Sequence, residues 1–110
     1  MKIWSLYLIR CGNGSLYTGI TTDVRRRFEE HQRGDGKGSK YLRGKSPLEL
    51  VFKKKIGSKG LAMKVEYRVK KLPKTRKEMV VKGRLKIREI EKGISLPAMP
   101  LIINQKEDNI

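Results

Sequence analysis

The stretch IWSLYLIRCGNGSLYTGITTDVRRRFEEHQRG, residues 3–34, decides most of the fold. Its first eight residues, 3–10, are β-branched, aromatic or otherwise apolar for the most part and predict a central strand. Gly12-Asn13-Gly14 supplies the positive-φ positions of a tight reversal. Residues 15–20 then predict the returning strand of a hairpin. Gly19 inside that strand indicates either a close backbone approach or a bulge.

A helix is predicted after the hairpin. Thr22 or Asp23 can cap its start, it runs to about Arg33, and Gly34 ends it. Spacing of three and four residues places one set of side chains on a common side: Val24, Arg27, Phe28 and His31. The other side is mostly charged: Arg25, Arg26, Glu29 and Glu30.

A loop, a strand and two helices are predicted further along the chain. Residues 34–47 hold four glycines and four Lys or Arg and predict a mobile basic loop. A third strand follows from the alternation of Leu48, Leu50 and Phe52 with more polar neighbours. Ser58 can cap a second long helix, and a short third helix covers about residues 74–82. The second helix has an apolar stripe at spacings of four, four and three: Leu61, Val65, Val69 and Leu72.

The order β-β-α-β-α-α predicts a small α+β domain over residues 1–83, a three-stranded antiparallel sheet flanked by helices. Residues 84–110 form a C-terminal extension. Arg84–Lys92 is compatible with a helix. The apolar stretch 94–103 can pack back on the domain, form an edge strand or bind another subunit.

The charge balance indicates a polyanionic partner. Lys and Arg number 27 against 11 acidic residues, a net charge of +16, and residues 53–92 alone carry 16 basic and 4 acidic side chains. Such density attracts nucleic acid, whereas a merely solvated basic surface is the ordinary alternative. A single cysteine excludes an intrachain disulfide and a cysteine metal cluster. Without a signal peptide or an apolar run long enough to span a membrane, the sequence predicts a cytoplasmic protein and no membrane partner.

Two tripeptides lie about ten residues apart on the two hairpin strands, Ser5-Leu6-Tyr7 and Tyr17-Thr18-Gly19. A set of single residues then follows at fixed spacing: Thr21, Val24, Arg27 and His31. This pattern resembles the GIY-YIG nuclease superfamily, especially its small stand-alone (YhbQ-like) branch, to which Lys40–Gly44 and Pro47–Val51 are also similar. The resemblance covers roughly residues 3–82.

The resemblance implies a metal-dependent endonuclease that hydrolyses phosphodiester bonds in DNA. It places Tyr7 and Tyr17 beside the active site, with one of them accepting the proton of water. A free phenol has a pKa near 10, so a neighbouring cation must favour its ionised form. Glu66 is implied as the single carboxylate ligand of a divalent ion, expected to be Mg²⁺, with water and phosphate oxygens completing the shell.

The remaining site residues follow partly from the same resemblance and partly from the composition of the basic loop. Arg27 is implied to bind the scissile phosphate through its planar fork. His31 can orient a tyrosine, hold a phosphate oxygen or protonate the leaving group. Gly19 is expected to let the strand approach the phosphate closely. In the basic loop, Tyr41 is expected to stack on an exposed base, and three cations to grip phosphates: Lys37, Lys40 and Arg43.

Taken in isolation, the same residues allow ordinary structural roles. The two tyrosines can be half-buried strand residues, His31 a structural helix residue and Gly19 a simple bulge. Glu66 can be a surface residue paired with Lys70, worth only a few tenths of a kcal/mol.

Three functions compete. The leading one is a DNA endonuclease that selects structure rather than sequence, in repair or recombination, because no base-reading module accompanies the charge. The alternative is a nucleic-acid-binding protein of the same fold with weak or no turnover. Many family nucleases place an asparagine after the glutamate, and here only Asn104 and Asn109 follow it. A basic RNA-binding or ribosome-associated protein is the third.

Overall fold

The computed structural model describes residues 2–34 and 36–92. In these residues the chain forms three strands, four α-helices and one short 3-10 helix. The strands are β1 (Trp4–Arg10), β2 (Leu16–Thr21) and β3 (Glu49–Gly57). The helices are α1 (Val24–Arg33), α2 (Lys59–Lys70), α3 (Lys74–Val81) and α4 (Ile87–Glu91), and the 3-10 helix spans Lys40–Leu42. The predicted α+β order β-β-α-β-α-α is confirmed, and α4 follows it.

The sheet has the strand order β2-β1-β3, and both strand pairs are antiparallel, so β1 is the central strand as predicted. Side chains alternate between the two faces of a strand. Leu6 and Leu8 of β1 therefore face a core shared with α2, α3 and α4, whereas Tyr7 and Ile9 face α1 and the loop that follows it. Burial on both faces explains why this segment is almost wholly apolar.

The larger core holds the second helix as its stripe predicts, with one shift. Val65, Val69 and Leu72 are buried, whereas Leu61 is partly exposed and Ala62 is buried beside it. Each fully buried aliphatic side chain of this size contributes roughly 1.5–3 kcal/mol of transfer free energy. This packing fixes α2 against β1 and β2, and so fixes the position of Glu66.

The third strand differs from its prediction. Leu48 and Leu50 pack on the Tyr7 side of the sheet, but Phe52 packs in the larger core on the opposite side. The pairing with β1 shifts between Leu8 and Ile9, which are opposite Phe52 and Leu50, so Val51 is an extra residue. A bulge of this kind reverses the facing of the residues that follow it, up to the second register shift at Ile56. Simple alternation of Leu48, Leu50 and Phe52 on one face was therefore wrong.

Helix α1 begins and ends as the sequence predicts. The carboxylate of Asp23 accepts a hydrogen bond from the backbone N–H of Arg26 at 3.1 Å, and Gly34 ends the helix in a left-handed conformation with φ of 64°. These two caps determine where α1 begins and ends. The side of α1 that faces the sheet follows from the packing of Val24 and Phe28 against the cluster around Tyr7.

The chain continues in the larger core beyond α3. Leu85, Ile87 and Ile90 are buried there, and Arg68 of α2 donates to the carbonyls of Ile90 and Glu91. The helix expected within Arg84–Lys92 is confirmed as the shorter α4. The domain division at residue 83 stays a prediction, and the apolar stretch 94–103 lies outside the described residues. Within residues 2–34 and 36–92, no helix is long and apolar enough to cross a membrane.

Candidate active site

Gly19 makes room for the ring of Tyr7. The two residues are directly opposite each other in the β1–β2 ladder. A Cβ atom on Gly19 would lie 2.5 Å from both Cζ and Oη of Tyr7, far inside van der Waals contact. The β1–β2 register runs without a shift through this pair, so Gly19 is not at a bulge. The close approach predicted at Gly19 occurs, and the group that approaches is a phenol of the candidate site.

Four aromatic rings meet on this face of the sheet. The Tyr7 ring centroid lies 6.3 Å from that of Tyr17 and 5.9 Å from that of His31, and the Tyr17 and His31 centroids are 5.4 Å apart. Tyr41 stacks on Tyr17, with their ring centroids 5.8 Å apart. The ammonium of Lys45 lies over the Tyr41 ring, 4.5 Å from its centroid. The stacking partner of Tyr41 in this structure is therefore a protein side chain.

His31 is held at both ring nitrogens. The backbone N–H of Ser39 donates to Nδ1 at 3.0 Å, and Nε2 lies 2.8 Å from Oη of Tyr7. Burial, and then the charge of Arg27, lower the pKa of His31 to about 4, so the ring is neutral at pH 7. Because a backbone N–H can only donate, the single ring proton sits on Nε2 and is donated to the Tyr7 oxygen. Of the roles open to His31, this arrangement favours orienting a tyrosine.

The depressed pKa of His31 predicts a specific loss of stability in mild acid. The unfolded chain takes up a proton below pH 6.5 whereas the folded chain does so only near pH 4, so stability falls as pH drops through that window. We expect the free energy of unfolding in urea to fall by about 1–2 kcal/mol between pH 7 and pH 5. His31 is the single histidine, and the carboxyl pKa values of Glu30 and Glu78 are lowered below 4.5. The slope should therefore vanish in His31→Gln; an equal slope in that variant would contradict the assignment.

Arg27 is fixed by a carboxylate and a carbonyl. Its Nη1 donates to Oε1 of Glu30 at 2.9 Å and to the backbone oxygen of Lys37 at 2.6 Å. Burial opposes its charge, but the hydrogen bond to Glu30 and the nearby Tyr7 outweigh that and raise the pKa of Arg27. Assigning Glu30 to the outer side of α1 was wrong, because its side chain is only 12% exposed and also binds Arg26. The spacing of three residues between Arg27 and Glu30 was the signal in the sequence that the two side chains could pair.

Tyr7 is enclosed and protonated at neutral pH. It is 1% exposed, and burial together with the nearby Tyr17 raises its pKa, while Arg27 opposes the rise and Glu66 adds to it. Glu66 on α2 is thus close enough to the Tyr7 oxygen for their charges to interact. Tyr7 on β1 is thus bound directly by His31 of α1, whereas α2 acts on it through the charge of Glu66.

Glu66 has the donor chemistry of a one-carboxylate Mg²⁺ site. Its side chain is 22% exposed, and Oε2 lies 3.3 Å from Nζ of Lys70, the pairing that spacing alone indicates. Among the residues that the structure describes, no three His, Cys, Asp or Glu side chains form a metal cluster. Mg²⁺ keeps several waters and binds through one or two carboxylates plus phosphates. A single, partly exposed carboxylate such as that of Glu66 fits that ion.

A groove of about 430 Å³ runs along the edge of β2 toward α3. Its floor includes Thr18, which is 3% exposed and whose Oγ1 has no hydrogen-bond partner among the described residues. Its polar lining is otherwise two phenols, a serine and two lysines: Tyr17, Tyr41, Ser39, Lys70 and Lys77. The lysines and Thr18 were missed as site residues, because nothing in the sequence relates α2 and α3 to the edge of β2.

The predicted phosphate-gripping cations lie elsewhere. Lys37, Lys40 and Arg43 are all exposed, and none of the three lines the groove. Arg43 instead lines a smaller pocket on the other side of His31. Lys37 contacts the site through its backbone, because its carbonyl accepts a hydrogen bond from Arg27.

The sequence matches the family model described as the GIY-YIG catalytic domain over residues 3–79. The chain belongs to the GIY-YIG family. Membership implies, in general terms, nuclease activity on a nucleic acid. The match spans β1 to α3, and so includes every element that contributes to the site described above.

Relatives place the chain in the stand-alone branch. It is 52% identical over 97 residues to a UPF0213 protein of Cronobacter sakazakii, covering 88% of this chain and 100% of the relative. It is 56% identical over 81 residues to the UPF0213 protein YhbQ of Escherichia coli K12, covering 74% and 79%. The solution NMR structure of the protein EF2693 from E. faecalis is similar, with 34% identity and a TM-score of 0.53 over 76% of this chain and 86% of that one.

Proposed function

We propose that this GIY-YIG protein is a Mg²⁺-dependent endonuclease that hydrolyses phosphodiester bonds in DNA, selecting structure rather than sequence, in repair or recombination. The proposal rests on one observation: an imidazole, a guanidinium and a carboxylate all act on the hydroxyl of one buried tyrosine. Oη of Tyr7 receives a hydrogen bond from neutral His31, and it interacts with the charges of Arg27 and Glu66. A strand tyrosine with only a structural role needs none of these neighbours.

Hydrolysis requires a proton acceptor for water, neutralised phosphoryl oxygens and a stabilised leaving oxygen. We assign proton acceptance to the phenolate form of Tyr7, which must first release its own proton to solvent. The hydrogen bond from His31 and the positive charge of Arg27 favour that ionised form, which then takes the proton of the attacking water. Tyr17 is half-buried at the groove and is positioned to contact the substrate. Arg27 is the cation for the scissile phosphate, already oriented by Glu30.

Glu66 would hold the divalent ion, which supplies positive charge to the phosphoryl oxygens and to the group that loses a proton. Lys70 now pairs with Glu66, and that pair must open. The Lys70 side chain is 53% exposed, so the pair is worth less than about 1 kcal/mol and is a weak competitor. Lys70 also lines the groove and is available there to a phosphate.

The groove is the proposed path of a substrate strand. Lys70 and Lys77 provide charge, and the orphaned hydroxyl of Thr18 offers a hydrogen bond. Lys37, Lys40 and Arg43 lie outside the groove and would meet phosphates farther along. Tyr41 can stack on a base only if its stacking with Tyr17 or its contact with Lys45 is rearranged. The cytoplasmic location stays a prediction.

The same fold with weak or no turnover is the second candidate, and one observation favours it. The raised pKa of Tyr7 leaves less of it ionised at neutral pH than in free tyrosine, and only the ionised form can accept the proton of water, unless further positive charge lowers that pKa. Such a protein would bind nucleic acid through its basic surface without cutting it.

Incubation with supercoiled plasmid and branched DNA, in Mg²⁺ or in chelator, separates the candidates. We expect nicking of DNA that chelator abolishes. Tyr7→Phe should slow it by roughly 10²- to 10⁴-fold, the usual contribution of a proton-transfer group. Tyr67→Phe is the matched control, because Tyr67 is 61% exposed on α2. Binding without metal-dependent nicking would favour the second candidate, and preference for an RNA duplex would remove the DNA assignment.

A further inference from the structure

The loop after α1 contacts the candidate site through its backbone. Arg27 donates to the carbonyl of Lys37, and the N–H of Ser39 donates to Nδ1 of His31. One contact uses a loop acceptor and the other a loop donor, two residues apart. Both α1 side chains that reach the Tyr7 hydroxyl are therefore tied to the same three-residue segment.

Gly38, between those two anchors, sets how closely the segment lies on α1. A Cβ on Gly38 would be 2.8 Å from Cα of His31 and 2.9 Å from the carbonyl oxygen of Glu30. Both are backbone atoms of a capped helix and cannot turn aside. A side chain at residue 38 would therefore lift the segment away from α1.

We propose that the backbone of residues 37–39 is a positioning element of the active site: it holds Arg27 and fixes the tautomer of His31. This inference rests on the nuclease function proposed above. If Nδ1 lost its donor, the proton could move from Nε2 to Nδ1, and the ring would then accept from Tyr7 rather than donate to it. The phenol oxygen would lose the hydrogen bond that favours its ionised form. A loop predicted to grip phosphates thus also sets the state of the proton acceptor.

The test uses the single imidazole of the chain as its reporter. In ¹⁵N-labelled full-length protein at pH 7, long-range ¹H–¹⁵N correlations identify the protonated ring nitrogen of His31 without assignment ambiguity. Two substitutions at Ser39 separate the N–H from the hydroxyl. Ser39→Pro replaces the N–H by a ring methylene, so it removes the donor and pushes the segment away from the imidazole, while the local φ of −70° suits proline. Ser39→Ala keeps the N–H and removes only the hydroxyl that caps the 3-10 helix.

We expect the proton on Nε2 in the wild type, in Ser39→Ala and in Tyr7→Phe. In Ser39→Pro and in Gly38→Ala the two nitrogen signals should move toward each other as the tautomers mix. Gly60→Ala is the control for added bulk, because nothing lies within 4 Å of its Cβ position. In the nicking assay, kcat should fall roughly 10- to 100-fold in Ser39→Pro and in Gly38→Ala, while the DNA affinity of these two variants stays within about threefold of the wild-type value.

The outcomes are separable. A wild-type ring protonated on Nδ1, or wild-type signals in both Ser39→Pro and Gly38→Ala, would overturn the positioning role. A parallel loss of DNA affinity and kcat would also overturn it, since the loop would then act only through binding. A wild type with the expected tautomer that never nicks DNA would instead refute the nuclease function.

Discussion

The Glu66→Gln variant is expected to lose metal-dependent cleavage while keeping its affinity for DNA. Glutamine preserves the shape of the side chain but removes the negative charge that a hard cation needs. Metal-assisted charge neutralisation is worth several kcal/mol, so the nicking rate should fall by about 10³-fold or more. DNA binding should be unchanged or slightly tighter, because one carboxylate is removed beside the phosphates. The fold should be intact, since the Glu66–Lys70 pair is partly exposed and weak.

Glu29→Gln is the matched control. Glu29 is also on a helix and also pairs with a cation at i,i+4, at 3.7 Å from Arg25, but it lies on the outer side of α1 and is 52% exposed. The measurement is the nicking rate of Glu66→Gln and of Glu29→Gln, each with the same fraction of protein bound to DNA. Wild-type nicking in Glu66→Gln would show that the carboxylate is not the metal ligand. A rate restored by Mn²⁺ would instead indicate that the oxygen ligand is retained and weakened.

Much of the fold was available from local sequence signals. Caps at Asp23, Gly34 and Ser58 mark helix ends because they act within one turn, and the structure has them where expected. The hairpin followed from its turn residues. The bulge at Val51 could not be predicted from the sequence. The side-chain pattern of β3 is compatible with either face pointing inward, and only the pairing with β1 fixes the register. Lys53–Lys55 continue this edge strand, where charge is tolerated.

Site residues could be predicted from the sequence where the spacing within one helix places them on the same side. Arg27 and His31 lie one helical turn apart and face the same tyrosine. Glu30 was missed because a charged residue on an amphipathic helix defaults to solvent, and its burial depends on the loop that covers it. Ser39 acts through its N–H, and a backbone group leaves no residue-type signal in a sequence. Lys77 required knowing that the fold brings this side chain of α3 to the same groove as the β2 residues Tyr17 and Thr18.

Gly19→Ala is expected to damage both the stability of the protein and its cleavage of DNA. The new Cβ would lie 2.5 Å from Cζ and Oη of Tyr7, and that ring is enclosed, so it cannot retreat within a rotamer. Either β2 separates from β1 or the Tyr7 hydroxyl leaves His31. Overpacking of this kind typically costs about 1–3 kcal/mol, and misplacing the proton acceptor should lower the nicking rate by roughly 10²-fold. Urea unfolding and plasmid nicking measure the two effects separately.

A double-mutant cycle identifies the Tyr7 ring as the cause. In a Tyr7→Leu background the neighbouring side chain is shorter and lacks the clashing atoms, so adding Gly19→Ala should cost at least about 1 kcal/mol less than in the wild type. Gly60→Ala, an exposed helix position, should stabilise by about 0.5–1 kcal/mol and leave nicking unchanged. An equal cost of Gly19→Ala in both backgrounds would place the strain in the strand itself. In that case the glycine of this motif would serve the backbone, and the phenol would owe its position to His31 and Arg27 alone.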